Sequence, residues 1–172
     1  MDCGWIADLI DHMNGDMTNF DVMDLQILTT LQRDSSLSQR EVAKRVGLSQ
    51  NACWRRIQAL QAAGILAGSQ ARVDLAALGL DLTVFVMIRT RHHSREWIDR
   101  FSCHVQSLPE VIDFNRIGGE WDYLLKIVTP GMAGYDRFYQ KLIDGFEFDK
   151  VTGLFSMEQI LDNRPTDLNR ML

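Results

Sequence analysis

Apolar residues recur every three or four positions in three short stretches between residues 21 and 62, which is the spacing of amphipathic helices. A capping box, Ser38-x-x-Glu41, opens the second helix, and Gly47 ends it. Ser49 supplies the N-cap of the third helix. Three short helices with a glycine turn between the second and the third predict a helix-turn-helix.

A short extended segment follows the third helix. Ile65 and Leu66 come directly after Gly64, a residue that commonly ends helices, and Gly68 is predicted to form the tip of a hairpin. A hairpin in this place would be a wing. Residues 21–72 are therefore predicted to form a winged helix-turn-helix.

Strand-like and helix-like patterns alternate through the second half of the chain. The predicted strands span residues 82–89, 111–117, 121–128 and 151–161. A helical stripe lies between the first two strands and another between the last two. The order β-α-β-β-α-β predicts a ferredoxin-like domain over residues 82–163, so the fold class is α+β. Residues 73–81 would form a linker and 164–172 a tail.

The first predicted strand is apolar on both faces. Phe85 and Met87 alternate with Val84 and Val86, whereas the two helices of such a unit cover only one face of the sheet. A large exposed apolar face marks an interface. We expect the sheet to pack against a second copy of the chain.

Composition and charge narrow the class of protein. The 172 residues are 46% hydrophobic and 24% charged, which is typical of a globular protein, and no apolar run is long enough to span a membrane. The net charge of −5 excludes a strongly basic protein that coats nucleic acid. Residues 21–72 are nevertheless locally basic, because they hold seven Lys and Arg against four Asp and Glu. Three widely spaced cysteines (Cys3, Cys53 and Cys103) and no signal-peptide pattern favour the cytoplasm.

Residues 1–20 show only weak helical periodicity and carry four aspartates without a Lys or Arg. One interpretation is a loosely ordered extension or an upstream start codon. The other is an accessory helix that docks on a partner.

The polar side of the third helix is the sharpest functional signal. In a helix-turn-helix, the first turns of this helix enter the major groove, where Asn and Gln pair with adenine and Arg with guanine. Arg56 borders the buried side, so it either binds a phosphate or braces the fold. The residues predicted to contact DNA are Ser38, Arg40, Lys44, Ser49, Gln50, Asn51, Trp54, Arg55 and Arg56.

Three motifs in the first half, Ser38–Ser49, Cys53–Ile57 and Leu60–Leu66, resemble the Lrp/AsnC (feast/famine) transcriptional regulators. A turn in the second half, Gly118–Leu125, adds to this resemblance, which covers about residues 21–163. The resemblance implies a winged helix-turn-helix that binds double-stranded DNA and a βαββαβ (RAM-type) effector and oligomerisation domain. It also implies small amino acids as effectors and homodimers that assemble into octamers or larger rings.

The turn at residues 118–122 has two interpretations. By spacing alone, two glycines form a hairpin turn that Asp122 caps. The resemblance instead implies an effector pocket between dimers, in which Trp121 and Glu120 depart from the family's usual Tyr and Asp. The candidate effector residues are Gly118, Gly119, Glu120, Trp121 and Asp122. Residues 92–97 and 155–160 are most similar to a branch that regulates cysteine detoxification, which makes L-cysteine a candidate effector.

Catalysis and metal binding find little support. The sequence has no Gly-x-Ser-x-Gly, P-loop or His-Glu-x-x-His motif, and no closed set of metal ligands. We therefore expect a regulator without cofactor or metal. The alternative is an amino-acid-binding or enzymatic ferredoxin-like module whose helix-turn-helix serves protein contacts.

Overall fold

A computed structural model describes residues 21–171. Among these residues, 21–72 and 160–171 form one compact unit, and 73–159 form the other. The extension predicted at 1–20 lies outside the described residues.

The first unit is built on three helices. They are α1 (Val22–Arg33), α2 (Gln39–Val46) and α3 (Gln50–Ala62). The predicted Ser38–Glu41 capping box is present at α2, and Gly47 ends that helix in the left-handed conformation with a φ of 71°. Nine residues from the three helices form one hydrophobic core, with Ile27 and Cys53 fully buried.

The segment after α3 does not form the predicted hairpin. Gly64 adopts a φ of 71°, and the N–H groups of Ile65 and Leu66 both donate to the carbonyl of Leu60, at 3.0 and 3.1 Å. These residues therefore close the end of α3 instead of beginning a strand. No residue between 63 and 81 belongs to a sheet, so the expectation of a paired hairpin tip at Gly68 is wrong.

The chain returns to this unit at its C-terminal end. Arg72 forms an ion pair with Asp162, and Leu168 packs against the helical core from a 3₁₀ turn at Leu168–Met171. The segment predicted as a tail thus contributes a side chain to the core of the helical unit.

The second unit has the predicted βαββαβ order. Its strands are β1 (Leu82–Arg89), β2 (Val111–Arg116), β3 (Tyr123–Thr129) and β4 (Lys150–Phe155), and its helices are α4 (Arg95–Gln106) and α5 (Gly131–Ile143). The strands form one antiparallel sheet in the order β2-β3-β1-β4. Val84, Val86 and Ile88 pack against helix residues that include Phe101 and Phe138, and all five are fully buried.

The opposite face of the sheet has no helix over it within residues 73–159. Cross-strand register places Phe85 beside Lys126 and Leu154, and Met87 beside Leu124. We call these five residues the open face. Phe85 and Met87 are only half-buried, which confirms the predicted apolar surface on the first strand. Leu154, which is 47% exposed, extends this surface to β4.

The last strand is shorter than predicted, because it ends at Phe155 and not at Leu161. Phe155 pairs with Val84, and the N–H of Ser156 donates to Thr83 near the beginning of β1. β1 begins only one residue before Thr83, so little of that strand remains for the chain beyond Ser156 to pair with. Met157 and Ile160 are consequently 97% and 90% exposed.

Candidate DNA-binding and effector-binding sites

Helix α3 presents a polar side that the fold of its own unit does not require. Ser49 caps the helix by accepting a hydrogen bond from the N–H of Ala52 at 3.3 Å. Cys53, Ile57 and Leu60 are buried, which turns the other side of the helix outward. The exposed residues there include Gln50, Asn51, Trp54 and Arg55.

Trp54 is the unusual member of this set, because an indole that is 47% exposed on a helix contributes little to the core. Neither Arg55 nor any of the other three exposed residues forms a side-chain hydrogen bond or ion pair within residues 21–171. Their donor and acceptor groups are therefore available to base edges.

Helix α2 carries the predicted phosphate contacts. Arg40 and Lys44 are exposed and form no ion pair within the described part of the chain. The Ser38 hydroxyl instead donates to Glu41 at 2.6 Å, and this bond, together with the N–H of Ser38, lowers the pKa of the Glu41 carboxyl. Ser38 thus serves first as a helix cap.

Arg56 points back into its own unit. One guanidinium nitrogen, Nη1, lies 2.7 Å from Asp21 Oδ2 and 2.8 Å from Asp24 Oδ1. Both carboxylates lie at the beginning of α1. These contacts are the ones expected of a brace, which is one of the two roles that the sequence left open.

The turn between β2 and β3 brings the five candidate effector residues together. Gly119 has a φ of 123°, which only glycine adopts readily, and a side chain added at Gly118 would meet open space. The turn is tied to the end of β1 through Asp122, whose Oδ2 accepts the N–H of Thr90 at 2.8 Å. The N–H of Asp122 in turn donates to the carbonyl of Ile88 at 2.9 Å.

Two cationic side chains contact this turn, one from the end of β1 and one from the start of β4. Lys150 Nζ lies 4.9 Å from the ring centre of Trp121, and Arg89 Nη1 lies 3.9 Å from Glu120 Oε1. Asp149 forms ion pairs with both Arg89 and Arg91. Hydrogen bonds from the two guanidinium groups lower the pKa of the Asp149 carboxyl, and the bond from Arg89 has the larger effect. Sequence reasoning missed these residues, because the pairs join positions 58 and 60 apart.

Other candidates from the sequence stay apart from both sites. Cys53 is a free thiol, and burial raises its pKa, which disfavours the reactive thiolate. Residues 21–171 contain no group of three or more His, Cys, Asp or Glu that could hold a metal ion. Among the helices of that range, none combines the length and apolar character needed to cross a membrane.

Two family models match this chain. One describes a winged helix-turn-helix DNA-binding domain and matches residues 20–67. The other describes the Lrp/AsnC ligand-binding domain and matches residues 83–166. The two matches correspond to the helical part and the sheet part of the structure.

Similar proteins agree with these matches. A glutamate uptake regulatory protein of Zymomonas mobilis is 42% identical over 140 residues, which cover 81% of this chain and 85% of that protein. The DNA-binding transcriptional activator DecR of Escherichia coli is 43% identical over 141 residues, or 81% of this chain and 93% of that protein.

A solved structure extends the likeness to three dimensions. The crystal structure of an AsnC family transcriptional regulator from Agrobacterium tumefaciens superimposes with a TM-score of 0.84 at 44% identity, and covers 89% of this chain and 100% of that one. By sequence and by fold, the chain belongs to the Lrp/AsnC family of DNA-binding transcriptional regulators.

Proposed function

We propose that this regulator reads a specific DNA sequence through the beginning of α3. The main support for the proposal is the exposed side at the beginning of this helix, whose polar side chains form no hydrogen bond or ion pair within residues 21–171. Gln50, Asn51 and Arg55 are the residue types that recognise base edges, and Trp54 offers an apolar surface to a thymine methyl group. The packing of α3 in its own unit does not require an exposed indole beside these polar groups.

Phosphate contacts would come from the surrounding residues. Arg40 and Lys44 are exposed on α2, and the first N–H groups of α3 follow the Ser49 cap, where a helix attracts anions. Residues 21–72 are locally basic within an acidic chain. Since the local charge governs attraction to the duplex, the net charge of −5 is compatible with binding.

The experiment is a binding titration with a duplex selected by the wild-type protein from a random library and with a scrambled duplex of equal length. Specific binding that falls steeply with salt supports the proposal. Arg55→Ala should reduce the preference for the selected duplex more than binding to the scrambled one, if Arg55 reads a base. Equal loss on both duplexes would assign Arg55 to a phosphate instead.

We propose further that the turn at residues 118–122 takes a small amino acid, in a regulator that works in the cytoplasm. Glycine backbone at Gly118 and Gly119 leaves room for a ligand carboxylate to approach N–H groups, and the second oxygen of Asp122 is available to an ammonium group. L-cysteine is the first candidate. Glutamate is the second, because one relative is named for glutamate uptake.

A thermal-shift screen of the twenty amino acids tests this proposal, since a ligand of the folded protein raises its melting temperature. Asp122→Asn is a sharper variant than Asp122→Ala, because the amide oxygen can still accept the N–H of Thr90 while the charge is lost. The expected result is a shift with one or a few amino acids that Asp122→Asn abolishes. No shift with any amino acid would refute the proposal.

The open face supports assembly into dimers that build octamers or similar rings. Five side chains, of which four are apolar, share this surface without a helix over it in residues 73–159. Leu154→Asp should therefore lower the mass measured by light scattering, whereas Met157→Asp, at a position 97% exposed and outside the sheet, should leave the mass unchanged. An unchanged mass in both variants would place the interface elsewhere.

A further inference from the structure

The two carboxylates at the beginning of α1 use all four of their oxygens. Asp21 Oδ1 accepts the N–H of Asp24 at 2.9 Å, and Asp24 Oδ2 accepts the N–H of Asp21 at 3.3 Å. The remaining two oxygens, Asp21 Oδ2 and Asp24 Oδ1, both face Nη1 of Arg56. One side chain of α3 thus completes the capping box of α1.

These three side chains are partly shielded from water. The exposed fractions are 17% for Asp24, 34% for Arg56 and 50% for Asp21. Without the guanidinium, the two carboxylates would repel one another at close range. To bind a DNA phosphate, Arg56 would have to break its ion pairs with Asp21 and Asp24, and the two carboxylates would then repel one another.

The position of Arg56 on the helix gives this contact a consequence for recognition. At about 100° per residue, Arg56 lies roughly 160° around α3 from Trp54 and about 140° from Asn51. Anchoring Arg56 to α1 therefore fixes which way the opposite side of α3 points. The buried residues Cys53 and Ile57 resist withdrawal of the helix, but apolar contacts are non-directional and leave some freedom of rotation.

We propose that Arg56 is a positioning residue, which sets the rotation of the recognition helix through Asp21 and Asp24 and does not bind DNA itself. This inference rests on the proposed reading of DNA by α3. Arg55, its neighbour, is the matched control, because Arg55 is exposed and forms no ion pair within residues 21–171.

The test compares wild type with Arg56→Gln, Arg56→Lys, Asp24→Asn, the double variant Asp24→Asn/Arg56→Gln and the control Arg55→Gln. Each protein is titrated with the selected and the scrambled duplex at several salt concentrations. Arg56→Gln should reduce the ratio of specific to non-specific affinity roughly tenfold, about the effect of losing one base contact. It should leave the salt dependence unchanged, and Arg56→Lys should recover part of the ratio.

The double variant distinguishes positioning from direct contact. If Arg56 acts through Asp24, the double variant should bind no worse than the poorer single variant, because contacting residues are not additive. Additive losses, with a salt slope that falls by about one, would show a phosphate contact and overturn the inference. Circular dichroism at the assay temperature checks that each variant is folded. If Arg56→Gln is unfolded, the comparison is made with Arg56→Lys instead.

The failure of this inference differs from the failure of the proposed function. A wild-type protein without sequence preference would overturn both. A wild-type protein with a clear preference, whose Arg56→Gln variant loses affinity equally on both duplexes, would overturn the positioning role alone.

Discussion

The outer side of α3 and the turn at residues 118–122 differ in how far their polar groups are already used. Gln50, Asn51 and Arg55 have no side-chain partner within the described residues. In the turn, the Asp122 carboxylate accepts a hydrogen bond from the N–H of Thr90, and the ammonium group of Lys150 lies over the ring of Trp121. The three side chains on α3 can therefore bind without first breaking a contact within the described residues. A ligand that used Asp122 or Trp121 would have to share or replace contacts made inside the sheet unit.

This difference suggests how a ligand signal could begin. Because Asp122 also donates its N–H to Ile88, the turn is continuous with the end of β1 and, through the Arg89–Asp149 pair, with the start of β4. A ligand that binds two arrangements of these contacts unequally would shift the balance between them. A ligand that binds them equally would not regulate the protein.

The largest expected effect concerns stability at the two sites. Asp122→Ala leaves the N–H of Thr90, a buried residue, without its partner and should lower the free energy of unfolding by about 1–3 kcal/mol. Asn51→Ala, at an exposed position, should change it by no more than about 0.5 kcal/mol. Urea denaturation measures both, and equal effects would remove the contrast between the sites.

An effect of similar size is expected on DNA binding. If Arg55 makes the bidentate contact to guanine that we propose, Arg55→Ala should weaken binding to the selected duplex by about 1–3 kcal/mol. The same substitution should leave any ligand-induced thermal shift unchanged. Equilibrium titration by fluorescence anisotropy gives the first value, and a normal affinity in this variant would remove Arg55 from the reading surface.

A smaller effect is expected from the cation over Trp121. Lys150→Gln removes an interaction of about 0.5–1 kcal/mol at an exposed site. If this contact holds the turn, the midpoint of ligand binding should also move, whichever amino acid the screen selects. Calorimetry on wild type and variant measures the change, and identical binding curves would show that the Lys150 contact is irrelevant to the ligand.

The smallest effect is a dependence of stability on pH. Arg89 and Arg91 lower the pKa of Asp149 below its ordinary 3.8 in the folded chain. The contribution of Asp149 to stability is therefore present above pH 3.8 and is lost as the pH falls through the lowered value. Asp149→Asn should be less stable than wild type at neutral pH and equally stable in strong acid. Thermal unfolding across that range measures the difference, and a constant gap would contradict this account.

Local signals in the sequence predicted most of the fold. The capping box and Gly47 specify α2 from neighbouring residues alone, and the alternation in 82–89 predicted the bounds of β1. The end of β4 was wrong because it depends on where β1 begins, far away in sequence. The hairpin at Gly68 was wrong because Ile65 and Leu66 complete the end of α3.

The candidate sites divide in the same way. Exposure on one side of α3 follows from helical periodicity, so Gln50, Asn51 and Arg55 could be placed from the sequence. The contact between Arg56 and Asp24 joins positions 32 apart, and the partners of the turn come from separate strands. No local pattern encodes such pairs, because they arise only when the elements pack together.

Selection of random duplexes by wild type and by Asn51→Ala, side by side, tests the central claim most directly. If the outer side of α3 reads bases, wild type should recover a defined motif. The variant should recover the same motif with preference lost at one or two positions. An identical motif from both proteins, or no motif from wild type, would contradict the claim that this surface reads DNA.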